Sequence, residues 1–145
     1  MFDAIVAGGS ALIQGASRGI GLEFARQCLT EPRIGHVVAT CRSPQDATGL
    51  ADLAARHPGR LTVLPLDATD EASIIAAAAA AARVAPRLHL VVNCAGVRHD
   101  GGEAFEQRFV DSLDRIVAAL VVAIDRTFVR RDRGVRDVAP PGQVL

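Results

Sequence analysis

The sequence predicts an α/β fold, with a mostly parallel sheet covered by helices on both faces. Three observations carry that expectation. Short apolar runs alternate with helical patterns from Ala11 to Asn93, the order strand, helix, strand that right-handed crossovers produce. The runs are apolar throughout rather than at every second position, as strands buried on two sides require. The first run also ends in a glycine-rich turn placed directly before a helix.

The elements follow in order. Ala11–Gln14 is a brief strand ending at Gly15, and beyond Gly19 and Gly21 the residues Leu22, Phe24, Ala25, Cys28 and Leu29 recur at helical spacing. Val37–Thr40 is a second strand, bounded by Gly35 and Pro44. A helical stretch over Pro44–Arg56 leads through Pro58 and Gly59 to a third strand, Leu61–Leu66. Asp70–Ala85 is an alanine-rich helix that Asp70 can cap and Pro86 stops. Leu88–Asn93 is the fourth strand, ending at Cys94-Ala95-Gly96. Residues 97–104 read as a polar loop. Phe109–Ile124 can form one more helix, and from Asp125 the text turns arginine- and proline-rich without a fifth strand. The expected organisation is a half-domain over residues 1–124 and an irregular tail over 125–145.

Composition narrows the chemistry. A chain of 145 residues, 50% apolar, can build one core. Zero formal charge gives no reason to expect nucleic acid or an anionic membrane as partner. With neither a leader pattern nor an uncharged apolar run of about 18 residues, the expected location is the cytoplasm. Cys28, Cys41 and Cys94 are unclustered and lack metal spacing, so they read as buried thiols and no metal is expected. All sixteen basic residues are arginines, and tyrosine is absent. No lysine base, Schiff-base lysine or phenolic acid is therefore available within these residues.

The segment Gly15-Ala16-Ser17-Arg18-Gly19-Ile20-Gly21 has the strand–turn–helix setting that a dinucleotide-binding turn requires. Gly15 permits the sharp turn, Gly19 leaves room for a pyrophosphate, and Gly21 allows close helix packing. The amides and dipole at the helix start favour an anion. Twenty residues beyond Gly21 stands Cys41, where an NAD site would place a carboxylate for the ribose hydroxyl. Arg42 follows, and its guanidinium, with Arg18, suits a 2′-phosphate. NADP is thus favoured over NAD; the plainer reading is two solvated arginines. Asp67 suits an adenine amino group or serves as a turn aspartate. Ala95 and Gly96 can pass close to a ribose, and Asn93 can tie neighbouring strands. His99 beside Asp100 reads as a surface loop.

These residues resemble the short-chain dehydrogenase/reductase family. Gln14–Gly21 is similar to its Thr-Gly-x-x-x-Gly-x-Gly segment, with Gln14 in the threonine's place. Leu66-Asp67-Ala68-Thr69 is similar to its Asp-Val-Thr segment, and Asn93-Cys94-Ala95-Gly96 to its Asn-Asn-Ala-Gly. The resemblance spans roughly residues 10–117 and is nearest to the small carbonyl-reductase and C-factor-like members. It implies a Rossmann-type sheet of order 3-2-1-4 and NADP(H), bound by Gly15, Ser17, Arg18, Gly19, Ile20, Gly21, Arg42, Asp67, Ala68, Asn93, Ala95 and Gly96. The family's proton-donating tyrosine and its lysine have no counterpart here, nor do its substrate-holding serine and helix asparagine. No catalytic residue is therefore assigned. The expectation is the cofactor-binding half of an oxidoreductase of carbonyls or alcohols, truncated after the fourth strand and its following helix and inactive alone. The alternative is a non-catalytic nucleotide-sensing or interaction module that self-associates through an open sheet edge.

Overall fold

A computed structural model describes Ile5 and residues 7–95. The expectations for Gly96, for the loop at 97–104, for Phe109–Ile124 and for the tail lie outside those residues. Four strands, β1 (Gly9–Gln14), β2 (Ile34–Cys41), β3 (Leu61–Pro65) and β4 (Leu90–Asn93), form one sheet of order β3-β2-β1-β4, and every pairing is parallel. Three helices connect them: α1 (Gly19–Thr30), α2 (Thr48–Arg56) and α3 (Glu71–Val84). The expected order 3-2-1-4 is the observed one.

Alternation along β1 sorts its side chains between two cores. Ala11 and Ile13 pack on one face with Ala25, Cys28 and Leu29 of α1 and with Leu50 and Leu53 of α2. Leu12 points the other way, into a cluster with Val38 and with Ile74, Ala77, Ala78 and Ala81 of α3. Both faces are covered, which is why the runs carry no polar alternation. The alanines let α3 lie close to the sheet. From β1 to β3 the chain steps in one direction with its helices on one face. It then reverses direction and changes face together, which preserves a single crossover hand and leaves a switch point between β1 and β4.

The boundaries differ from the sequence expectation for identifiable reasons. β2 begins at Ile34 rather than Val37. Its first turnward residue, Gly35, is invisible to an apolar pattern, and a side chain there would lie 3.0 Å from the Gly8 carbonyl. The expected helix over Pro44–Arg56 is two pieces. A 3-10 turn at Pro44–Asp46 ends at Ala47, whose φ of −85° and ψ of 69° interrupt the helix before α2 starts. β4 begins at Leu90 rather than Leu88 because the Ser10 N–H donates to His89 Nδ1 at 3.0 Å instead of to a strand carbonyl. At α3, Asp70 accepts from the Ala72 N–H at 3.0 Å, and the helix stops at Ala85, before Pro86. Among the described residues no helix is long and apolar enough to cross a membrane.

Candidate functional site

The carboxyl ends of the four strands gather the expected residues on one edge of the sheet. Gly15 leaves β1 with φ +74°, and a side chain there would lie 2.6 Å from the Ala95 nitrogen. Both the left-handed backbone and the close approach of the chain after β4 demand glycine. Gly21 is equally confined: a Cβ would collide with the Gly15 carbonyl oxygen and sit 2.9 Å from its carbon. The third glycine therefore packs α1 against the turn itself. Gly19, with φ +58°, has open space where a Cβ would stand. Two glycines close the turn and one keeps its mouth clear.

The turn's amides divide into two groups, a refinement the sequence did not reveal. The Gly15 and Ala16 N–H groups both donate to the Thr40 carbonyl, each at 3.0 Å. They are spent on the fold and cannot also serve an anion at full strength. The start of α1 is different. Arg18 occupies the N-cap with no side-chain capping bond, and the first turn holds no acidic residue. The N–H groups of Gly19, Ile20 and Gly21 thus lie in the part of a helix that lacks internal partners, with the positive end of its dipole. Ser17 is half-buried beside them, while Arg18 is exposed. Ile20, 73% exposed, borders a shallow apolar groove of about 360 Å³ lined by Gly19, Ile20, Glu23, Phe24 and Gln27.

The far side of the edge is more acidic. The Asp67 carboxylate accepts, at Oδ1, the Thr69 hydroxyl at 2.7 Å and the Thr69 N–H at 2.9 Å. Those bonds, the hydroxyl first, hold its carboxyl below the usual carboxylate range, and the Arg42 charge adds to the effect. Asp67 is thus the turn aspartate of its plainer reading, and its Oδ2 is still open to a donor. Arg42 is exposed, near enough to be felt by Asp67. Ala68 is half-buried against the α3 core.

Asn93 corrects an expectation. Instead of tying strands together, its Oδ1 accepts the Ala95 N–H at 3.0 Å and shapes the turn that meets Gly15. The strands are tied there by main chain, the Cys94 N–H donating to the Gln14 carbonyl at 2.9 Å. Cys94 is half-buried rather than buried. Cys28 and Cys41 are buried thiols as expected. Burial, reinforced by Glu31, pushes Cys28 up to about 11. Among the described residues no cluster of ligating side chains could hold a metal.

The sequence pattern missed one feature of this edge. Gln14 and Thr40, register partners at the ends of β1 and β2, are 2% and 1% exposed. The Gln14 amide oxygen and nitrogen and the Thr40 hydroxyl are buried with no hydrogen-bond partner. The signal available in sequence was a glutamine closing an otherwise apolar strand.

Known proteins share this fold. The family model for short chain dehydrogenases matches residues 10–127. The chain is 31% identical over 134 residues to an uncharacterized oxidoreductase, YusZ, of Bacillus subtilis, covering 87% of this chain and 46% of that protein. An NADPH-bound carbonyl reductase from chicken fatty liver superposes with TM-score 0.61 at 34% identity, covering 86% of this chain and 48% of its own. A carbonyl reductase of Caenorhabditis elegans described as putative, Sniffer, gives 0.68 at 25% identity over 89% and 58%. The chain therefore spans about half the length of these relatives. By the extent of the family match and the shared fold, the chain belongs to the short-chain dehydrogenase family.

Proposed function

We propose that this chain binds a nicotinamide dinucleotide across the carboxyl edge of its sheet, with NADP(H) preferred. The observation that carries the reading is the uncapped start of α1. Three successive amides, a clear mouth at Gly19 and a first turn without an acidic residue favour a diphosphate. Arg42 and Arg18, both exposed, supply the charge that suits a 2′-phosphate. Asp67 Oδ2 is the acceptor for an adenine amino group, and the Ala95 backbone is the wall beside the ribose. Two of the solved relatives carry NADPH, by their descriptions.

Family membership makes hydride exchange with a carbonyl or alcohol the reaction class. Within these 145 residues no tyrosine or lysine exists to deliver the proton. A positioned proton donor typically contributes about 10²–10⁴-fold. Coenzyme binding without carbonyl reduction is therefore the expected behaviour of the chain alone. Titration with NADPH and NADH, followed by nicotinamide fluorescence, tests the reading. NADPH should bind more tightly, and Arg42→Glu should reverse the order. Equal affinities in both chains would remove the phosphate assignment.

A second reading, a non-catalytic interaction module, is favoured by one observation. β4 has a single strand neighbour among the described residues, and its Val91 is 47% exposed. Such an edge invites a further strand or a second copy. Concentration-dependent light scattering separates the two, since this reading requires association and coenzyme binding does not.

A further inference from the structure

The unpartnered pair Gln14 and Thr40 lies where the coenzyme reading places the adenine end. Alternation puts both side chains on the α3 face of the sheet, with Leu12 and Val38, which pack there. After β1 and β2 the chain departs toward the α1 and α2 face, whereas Leu66 and Ala68 after β3 pack toward α3. The cleft of an open α/β sheet forms between loops that part in this way. Asp67, Ala68, Cys94 and Ala95, the residues that follow β3 and β4, are each half-buried. The pair therefore sits one layer beneath an open rim.

Buried polar atoms in native proteins nearly always find a partner, because an unmet donor or acceptor forfeits its hydration. Here three such atoms are neighbours, and among the described residues none meets them. A carboxamide offers a donor and an acceptor side by side. That is the complement of adenine's amino group and adjacent ring nitrogen, the pairing glutamine uses when it reads this base elsewhere. The Thr40 hydroxyl, donor and acceptor together, belongs to its register partner and is likewise unmet.

We propose that Gln14, backed by Thr40, forms a hydrogen-bonding floor to the adenine subsite and pairs with the amino-bearing edge of the base. The proposal rests on the coenzyme reading above and adds a base-selecting residue to it. Asp67 approaches the same amino group from the side.

The test compares NADP⁺ with its 1,N6-ethenoadenine analogue, whose bridge removes that edge, by calorimetry on the full chain and on Gln14→Met. Methionine keeps the shape and removes the unmet atoms, so the variant should melt at the same temperature or higher. Gln14→Thr serves where Gln14→Met does not melt cooperatively. The expected result is a preference for NADP⁺ in the native chain that falls about tenfold in the variant. The same ratio in both chains would overturn the proposal and assign the pair to internal hydration. Failure of the native chain to bind either dinucleotide would overturn the coenzyme reading, and this proposal with it.

Discussion

Three glycines in one turn do three separable jobs, and alanine substitution should separate them. At Gly15 a methyl group meets both a left-handed backbone and the Ala95 main chain at 2.6 Å. The backbone alone costs about 1–2 kcal/mol, and the collision adds to it, so Gly15→Ala should lower the melting temperature markedly. At Gly19 the backbone is left-handed as well, with φ +58°, but the space is open, so Gly19→Ala should cost only the backbone's about 1–2 kcal/mol while weakening NADPH binding more than stability. Thermal melts and coenzyme titrations on both variants check the contrast; equal stability losses would contradict it. Asp67 supports a different prediction. Its carboxyl is held low by Thr69 and then Arg42, so the folded state favours the charged form. The resulting stability is present above the unfolded value of about 3.9. It is lost as pH falls through the lower folded value. Asp67→Asn should therefore flatten the acid side of the stability profile where pH falls below about 4. An unchanged acid limb would show that Thr69 does not hold the carboxylate.

At the scale of elements, α3 shows most plainly what sequence could and could not reveal. Its limits were legible because they are written in local chemistry: Asp70 caps Ala72, and Pro86 cannot continue the helix. Asp70→Ala should cost about 1 kcal/mol, measurable by urea unfolding; no change would mean the cap bond adds nothing. Its alanines were legible as a close-packing face, and Ala78, 4% exposed, should resist enlargement. Ala78→Leu is expected to lose about 1–3 kcal/mol, whereas Ala79→Leu, at an exposed position, should be nearly neutral. The strand type of β1 and β2 was readable because burial on two faces leaves continuous apolar runs, and the sheet order because the motifs resemble those of a known family. What escaped was set by contacts distant in sequence. Gly35 belongs to β2 only because it passes the Gly8 backbone. His89 shortens β4 because its imidazole, not a carbonyl, takes the Ser10 N–H. Thr40 accepts both amides of a turn that lies 24 and more residues earlier, and no local pattern announces that.

For the molecule as a whole, the four-stranded order and the reversal between β1 and β4 generate the site. The reversal sends α1 and α3 to opposite faces and opens the sheet's carboxyl edge between them. The glycine turn, Arg42, Asp67 and the Ala95 wall all converge on that edge although they come from four different strand ends. The positions of the turn's three glycines were legible from their spacing. The division of labour among the turn amides was not, because it depends on β2 lying beside β1.

That division is open to direct measurement by amide NMR of the full chain titrated with NADPH. Large shifts should appear at Gly19, Ile20 and Gly21, with Gly15 and Ala16, already bonded to Thr40, moving little. Silence at the start of α1 at millimolar NADPH, or shifts confined to residues away from the sheet's carboxyl edge, would contradict the account.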